Sequence, residues 1–173
     1  MKRQVNFEQL QNDLYYAVRD HDFAQVESLI SLGASVNGLI PILGVNDNIL
    51  AFACRNSNGL EIVKLLVKNH ANVNNINPEA PSSCPLTQAA MSSFEITKFL
   101  IESGAEVNPN IPFYSPLLLA VDVGQDINTV KLLIEKGANV NGLQSSFGRT
   151  ALNAALRSSK FEMAKLLIQN GAK

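Results

Sequence analysis

The sequence predicts an all-α solenoid of about five helix-turn-helix units, with projecting turn or β-hairpin-like loops and no extended sheet. Two observations carry this. First, one phrase returns five times along the 173 residues: Val26 to Asn37 (VESLISLGASVN), Ile62 to Asn74 (IVKLLVKNHANVN), Ile96 to Asn108 (ITKFLIESGAEVN), Val130 to Asn141 (VKLLIEKGANVN) and Met163 to Ala172 (MAKLLIQNGA). Aligned on the residue before the shared alanine, the copies fall at Gly33, His70, Gly104, Gly137 and Gly171, spaced by 37, 34, 33 and 34 residues. A steady period of this size marks stacked supersecondary units. Second, each copy reads as a helix with a stop. Ile62, Leu65 and Leu66 follow i, i+3, i+4 and share one helical face. Glycine then supplies the left-handed conformation that ends the helix, having no Cβ to clash. Asn37, Asn74, Asn108 and Asn141 fit the start of a turn, where a short amide can bond nearby backbone groups.

Composition narrows the class. Fourteen Lys and Arg against fifteen Asp and Glu leave a formal net charge of −1, so there is no general attraction to nucleic acid or acidic membranes. An apolar content of 46% suffices for a core shared between neighbouring units. The two cysteines, Cys54 and Cys84, lie in different copies, which argues against a disulfide framework and for a reducing, cytoplasmic setting. Met1 to Asn6 shows no apolar core of a signal peptide. The greasiest stretch, Ile111 to Val121, carries two prolines and falls short of a membrane span.

Taken in order, the units are expected at about 6–38, 39–75, 76–109, 110–141 and 142–173, forming one domain. In the first, a helix near Leu10 to Arg19 starts in polar sequence, as a terminal unit should, and Asp20-His21-Asp22 turns into a second helix at Phe23 to Leu32. The second has a long leading turn, Leu39 to Asp47, and an Asn56-Ser57-Asn58-Gly59 turn between its helices. These insertions account for the 37-residue spacing, and insertions of this kind arise either as a binding edge or by drift. In the third, a proline-rich turn over Asn77 to Ser83 precedes Cys84-Pro85-Leu86, with proline at the first helical position, where its missing N–H costs nothing. Ser115-Pro116-Leu117 opens the fourth in the same way, with Ser115 as N-cap. Gly148-Arg149-Thr150-Ala151-Leu152 stands at the equivalent place in the fifth. Met163, Leu166, Leu167 and Ile168 have no following unit, so either the chain is a piece of a longer protein or this end docks onto another chain.

A helix pair plus a projecting turn per period resembles the ankyrin repeat, and the resemblance covers nearly the whole chain. The Cys84, Ser115 and Thr150 openings resemble that family's Thr-Pro-Leu-His signature. No copy keeps the whole tetrapeptide: its His position reads Tyr15, Ala51, Thr87, Leu118 and Asn153. In the family the Thr and His join a network tying neighbouring repeats together, so the departure implies a degenerate array of modest stability.

Catalytic and metal chemistry find little material. His21 and His70 sit where the chain needs a turn or left-handed conformation, which His tolerates better than most residues. They are about one and a half units apart, too far to share a ligand. Cys54 reads as core; Cys84 stands at a helix N-cap, where a dipole can activate a thiol, but no His or acid recurs beside it in sequence. Phosphate-loop, dinucleotide and Cys-x-x-Cys motifs are absent from the sequence. Glu61–Lys64, Glu95–Lys98 and Glu162–Lys165 are i, i+3 pairs on second helices and read as a solvated convex face. No enzyme activity, cofactor or metal is expected.

The resemblance implies partner binding on the concave side, across turn tips and exposed first-helix positions. Carried over position by position, it indicates Asp47, Ser83, Tyr114 and Arg149 at the last turn residue, and Arg19, Arg55, Met91, Asp122 and Arg157 on the first helices. Phe113 and Phe147 stand beside Tyr114 and Arg149 on neighbouring tips. Exposed aromatics and arginines often anchor interfaces, although these aromatics can equally fold back over the adjacent turn. Arg19, Arg55 and Arg157, at one place in three units, form a basic ladder for an acidic peptide, interrupted by Asp122. The expected function is a non-enzymatic scaffold recognising another protein, monomeric unless its C-terminal face self-associates. The alternative is a targeting or substrate-recognition segment of a larger effector or enzyme, such as a bacterial host-directed effector, whose active domain lies outside these residues.

Overall fold

The structure, a computed structural model, describes residues 6–42, 45–77, 80, 83–111, 114–124, 126–142 and 149–173. Within these, ten helices form five pairs: α1 (Phe7–Arg19) with α2 (Phe23–Ser31), α3 (Ile49–Cys54) with α4 (Leu60–Lys68), α5 (Pro85–Ser92) with α6 (Phe94–Glu102), α7 (Pro116–Asp122) with α8 (Ile127–Glu135), and α9 (Ala151–Arg157) with α10 (Phe161–Gln169). The odd-numbered helices pack neighbour to neighbour in one layer and the even-numbered in a second. The long leading turn is a hairpin: β1 (Leu39–Ile42) pairs antiparallel with β2 (Val45–Asn48) in the register Leu39↔Asn48. This all-α stack is the predicted class, with one two-stranded sheet.

Local chemistry sets the helix limits. The first helix starts at Phe7 rather than near Leu10, because the Asn6 carboxamide accepts from the backbone N–H groups of Glu8 and Gln9 at 3.1 and 3.3 Å. Asp22, Asn48, Ser93, Ser115, Asp126 and Thr150 cap α2, α3, α6, α7, α8 and α9 in the same way. At the other end, Gly33, Gly104, Gly137 and Gly171 have φ between +87° and +101°, the left-handed region glycine enters without a Cβ penalty. His21 (φ 58°) and His70 (φ 68°) share that region, which accounts for both histidines as turn residues.

The four turn asparagines do something other than bond nearby backbone. Each reaches across to the next helix pair and holds it with two hydrogen bonds. Asn108 Nδ2 donates to the carbonyl of Gly137 at 2.8 Å, and its Oδ1 accepts from Asn139 N–H at 2.9 Å. Asn37 does the same with His70 and Asn72, Asn74 with Gly104 and Glu106, and Asn141 with Gly171 and Lys173, all between 2.8 and 3.1 Å. In each case the acceptor carbonyl belongs to the left-handed residue after a second helix. The neighbouring Asn72 and Asn139 make the local bonds instead, to Asn74 N–H at 2.9 Å and Asn141 N–H at 3.0 Å.

The inter-helix turns add further cross-links. Ser92 Oγ donates to the Cys54 carbonyl at 2.5 Å. The Lys160 ammonium donates to the carbonyls of Val121, Asp122 and Gly124 at 2.7, 3.2 and 2.7 Å, taking up the exposed C-terminal end of α7. These bonds join neighbouring units at the ends of the first helices.

The core runs between the layers, with Leu14, Val26, Leu66, Ile96, Leu100, Leu133 and Leu167 fully enclosed. Met163 and Leu167 are buried and Leu166 is half-buried, so of the four apolar residues expected to lack cover, Ile168 is the one strongly exposed. Cys54 is core, as its position predicts, and burial pushes its thiol well above the usual range. Among the described residues, no helix is long and apolar enough to cross a membrane.

Three outcomes are expected. Asn108→Ala should lower the unfolding free energy by about 1–2 kcal/mol, two net hydrogen bonds' worth. Asn58→Ala, in an exposed turn, should change it by no more than about 0.5 kcal/mol, and urea denaturation measures both. Because the Cys54 thiol stays protonated in the fold after the unfolded chain has lost its proton, stability should fall as pH rises above about 8.5, by roughly 1.4 kcal/mol per pH unit. Urea midpoints of the wild type and Cys54→Ala across pH 7 to about 10 test this; the variant should lack that part of the slope.

Candidate functional site

The stacking of the odd-numbered helices brings their C-terminal ends into one row. Arg19 and Asp122 end α1 and α7, Arg55 caps α3, Met91 lies in the last turn of α5, and Arg157 ends α9. Between successive ends the surface is notched. A hollow of about 210 Å³ lies between α1 and α3, lined by residues that include Arg19, His21, Phe52, Arg55 and Asn56. A second, of about 160 Å³, lies between α7 and α9 beside Asp122, Arg149 and Arg157. A third, of about 310 Å³, opens beside Met91, Phe94 and Val123. Its origin is local. Ser93 alone links α5 to α6, whereas residues 123–126 link α7 to α8, so a short turn stands next to a long one.

The charged side chains of the row are largely matched. Arg19 binds Asp20 through Nε at 2.7 Å and Nη2 at 3.0 Å, which raises the Arg19 pKa and holds the Asp20 carboxyl below the ordinary carboxylate range. Arg55 pairs with Asp47 at 2.6 Å, and Arg149 with Asp122. Each N-terminal guanidinium also lies over a ring, Arg19 at 4.8 Å from the Tyr16 centroid and Arg55 at 5.7 Å from that of Phe52. Tyr15 bridges the two rings, at 5.2 and 4.9 Å.

Several expectations change. Asp47 is 4% exposed: its carboxylate accepts from Ser83, itself buried, from Arg55 and from Asn48 N–H. A carboxylate with that many donors at the base of a turn organises the turn and is not a free contact. The basic ladder is broken twice more than the sequence suggests, because Arg19 and Arg55 carry their own carboxylates. Met91 is half-buried and Tyr114 stands at the edge of exposure, its carbonyl accepting from Thr87 Oγ1 at 3.2 Å. Arg157 is exposed, with no hydrogen bond or ion pair among the described residues. Phe113 and Phe147 lie outside the described residues. Cys84 is buried against the core.

Sequence reasoning missed Tyr16, Phe52 and Val123. Tyr16 and Val123 are 50% and 57% exposed, and Phe52 is half-buried. A signal existed for the first two rings: Tyr16 and Phe52 occupy the same place in consecutive units. Val123 gives no such cue. Among the described residues, no group of three or more His, Cys, Asp or Glu could hold a metal ion.

The chain matches the family model for ankyrin repeats (3 copies) over residues 14–111 and 110–173. It is 35% identical over 133 residues to an ankyrin repeat protein of Rickettsia felis, covering 70% of this chain and 57% of that one. An ankyrin repeat protein of Acanthamoeba polyphaga mimivirus is 27% identical over 161 residues, 91% of this chain and 20% of its own length. An ankyrin repeat and KH domain-containing protein of Caenorhabditis elegans is 32% identical over 120 residues, covering 69% of this chain and 4% of its own. The chain thus spans less than two thirds of the length of each. Ankyrin repeats are in general non-enzymatic modules that bind other proteins. With a match that runs from residue 14 to residue 173 over five stacked helix pairs, the chain belongs to the ankyrin-repeat family.

Proposed function

We propose that this chain is a non-enzymatic recognition module that binds a partner protein along the row of first-helix ends and the turn tips beside it. The observation that carries this is the run of hollows of about 210, 310 and 160 Å³ in register with Arg19 and Arg55, with Met91, and with Asp122 and Arg157. Their linings differ. Arginine over aromatic rings stands at one end, a thioether with Phe94 and Val123 in the middle, and charged and amide groups at the other. A rigid stack holds such a series in place before the partner arrives, so little ordering cost falls on binding. The units at about 6–38, 39–75, 76–109, 110–141 and 142–173 act in this reading as one binding body. Its setting is intracellular and reducing, which the two buried free thiols support.

A second reading places the same face inside a larger protein, as its targeting or substrate-recognition segment. It is favoured by the relatives being longer than this chain, which spans 57%, 20% and 4% of the three described above.

Site-specific photo-crosslinking tests the face under either reading. Benzoylphenylalanine at Met91, Val123 or Asn153 should give covalent adducts of one discrete mass with partner protein. The same group at Lys64 or Lys131 on the second helices should not. Adducts confined to the second-helix positions would overturn the assignment.

A further inference from the structure

On the reading that the first-helix row is the recognition face, we propose that the hollow between α7 and α9 is a socket for one carboxylate side chain, Asp or Glu, of the partner polypeptide. The row holds three arginines at equivalent places, and the structure separates them. Arg19 and Arg55 are engaged by Asp20 and Asp47. Arg157 is exposed and has no such counter-charge among the described residues. It borders a space of about 160 Å³ with Asp122, Arg149, Asn153, Ala154 and Ser158.

The lining selects the ligand by charge and by donors. Asp122 is matched by Arg149, so the two arginines and one aspartate leave a single positive charge. Lys160 is not among the residues lining this space; its ammonium is held by the carbonyls of Val121, Asp122 and Gly124 at the end of α7. The Asn153 amide and Ser158 hydroxyl add neutral donors beside the guanidinium fork, which suits a planar carboxylate that accepts two parallel N–H bonds. A phosphate dianion would meet one net positive charge and the Asp122 carboxylate on the same wall, and is disfavoured on both counts. An uncharged amide would leave the Arg157 charge unanswered. The socket therefore reads one negative charge at one place, where the sequence suggests a ladder reading several.

Exposed charge pairs are individually weak, so the probe must be small enough to dose into the millimolar range. The full chain, labelled with nitrogen-15, is titrated at constant ionic strength with N-acetylglutamate α-amide, with N-acetylglutamine α-amide and inorganic phosphate as comparison probes. The glutamate probe should produce saturating shifts at Arg157 Nε–Hε and at the Ser158 amide, and the glutamine probe should not. Arg157→Gln should abolish the response while leaving the rest of the spectrum in place, and Lys131→Gln should keep it. Equal response to the glutamine probe, tighter saturation by phosphate, shifts at Arg19 and Arg55 matching those at Arg157, or a response surviving Arg157→Gln would each overturn the socket. Because the probe contains no partner, a negative result leaves the recognition face standing. Crosslinks confined to the second helices, with the glutamate response intact, would remove the face and keep the socket.

Discussion

The stack depends on an amide held at both ends. Asn37, Asn74, Asn108 and Asn141 each present Nδ2 to a carbonyl and Oδ1 to an N–H of the following unit. A carboxamide carries its donor and acceptor in a fixed plane, so two bonds made together fix distance and orientation at once. The carbonyl it binds belongs to the left-handed residue that ends a second helix, where the helix leaves carbonyls without an internal partner. Helix termination and inter-unit spacing are thereby solved by the same atoms. That coupling explains why His70 can replace glycine: what the position must supply is a left-handed backbone with its carbonyl turned toward Asn37, and His at φ 68° does so.

The same economy governs the charged surface. Without the full family signature, this chain ties its units together through Ser92, Lys160 and the Ser83–Asp47–Arg55 cluster. Groups that look in the sequence like surface charges are thus consumed in holding turns and helix ends. Asp47 shows why. A carboxylate almost excluded from water is tolerated when charged and neutral donors surround it, and once so surrounded it has little left to offer a partner. What the scaffold leaves exposed along the row is the Tyr16 ring, Val123 at the notch beside Met91, and the Arg157 guanidinium.

The fold was legible because repetition multiplies a weak signal. One apolar helix face followed by glycine says little; five in register specify a stack, its number of units and where each helix stops. N-caps such as Ser115 could be read one residue at a time, because capping is local chemistry. The role of the turn asparagines could not, since their partners lie about thirty residues away and become neighbours only on stacking. The row of first-helix ends was legible in its positions and not in its chemistry. Arg19, Arg55 and Arg157 are indistinguishable in sequence, and their difference comes from whether a carboxylate is folded against each.

By itself, then, the sequence determined the all-α repeat architecture, the helix stops, the buried Cys54 and the row along which exposed side chains would stand. These follow from periodicity and from backbone preferences that act within a few residues. Tertiary structure alone decided which units the asparagines join, that Asp47 is interior, that a notch opens at Met91, and that Arg157, unlike Arg19 and Arg55, has no carboxylate against it among the described residues. Each of these is set by through-space pairing across unit boundaries, where the energy of a charge or an amide depends on a neighbour that sequence distance does not reveal.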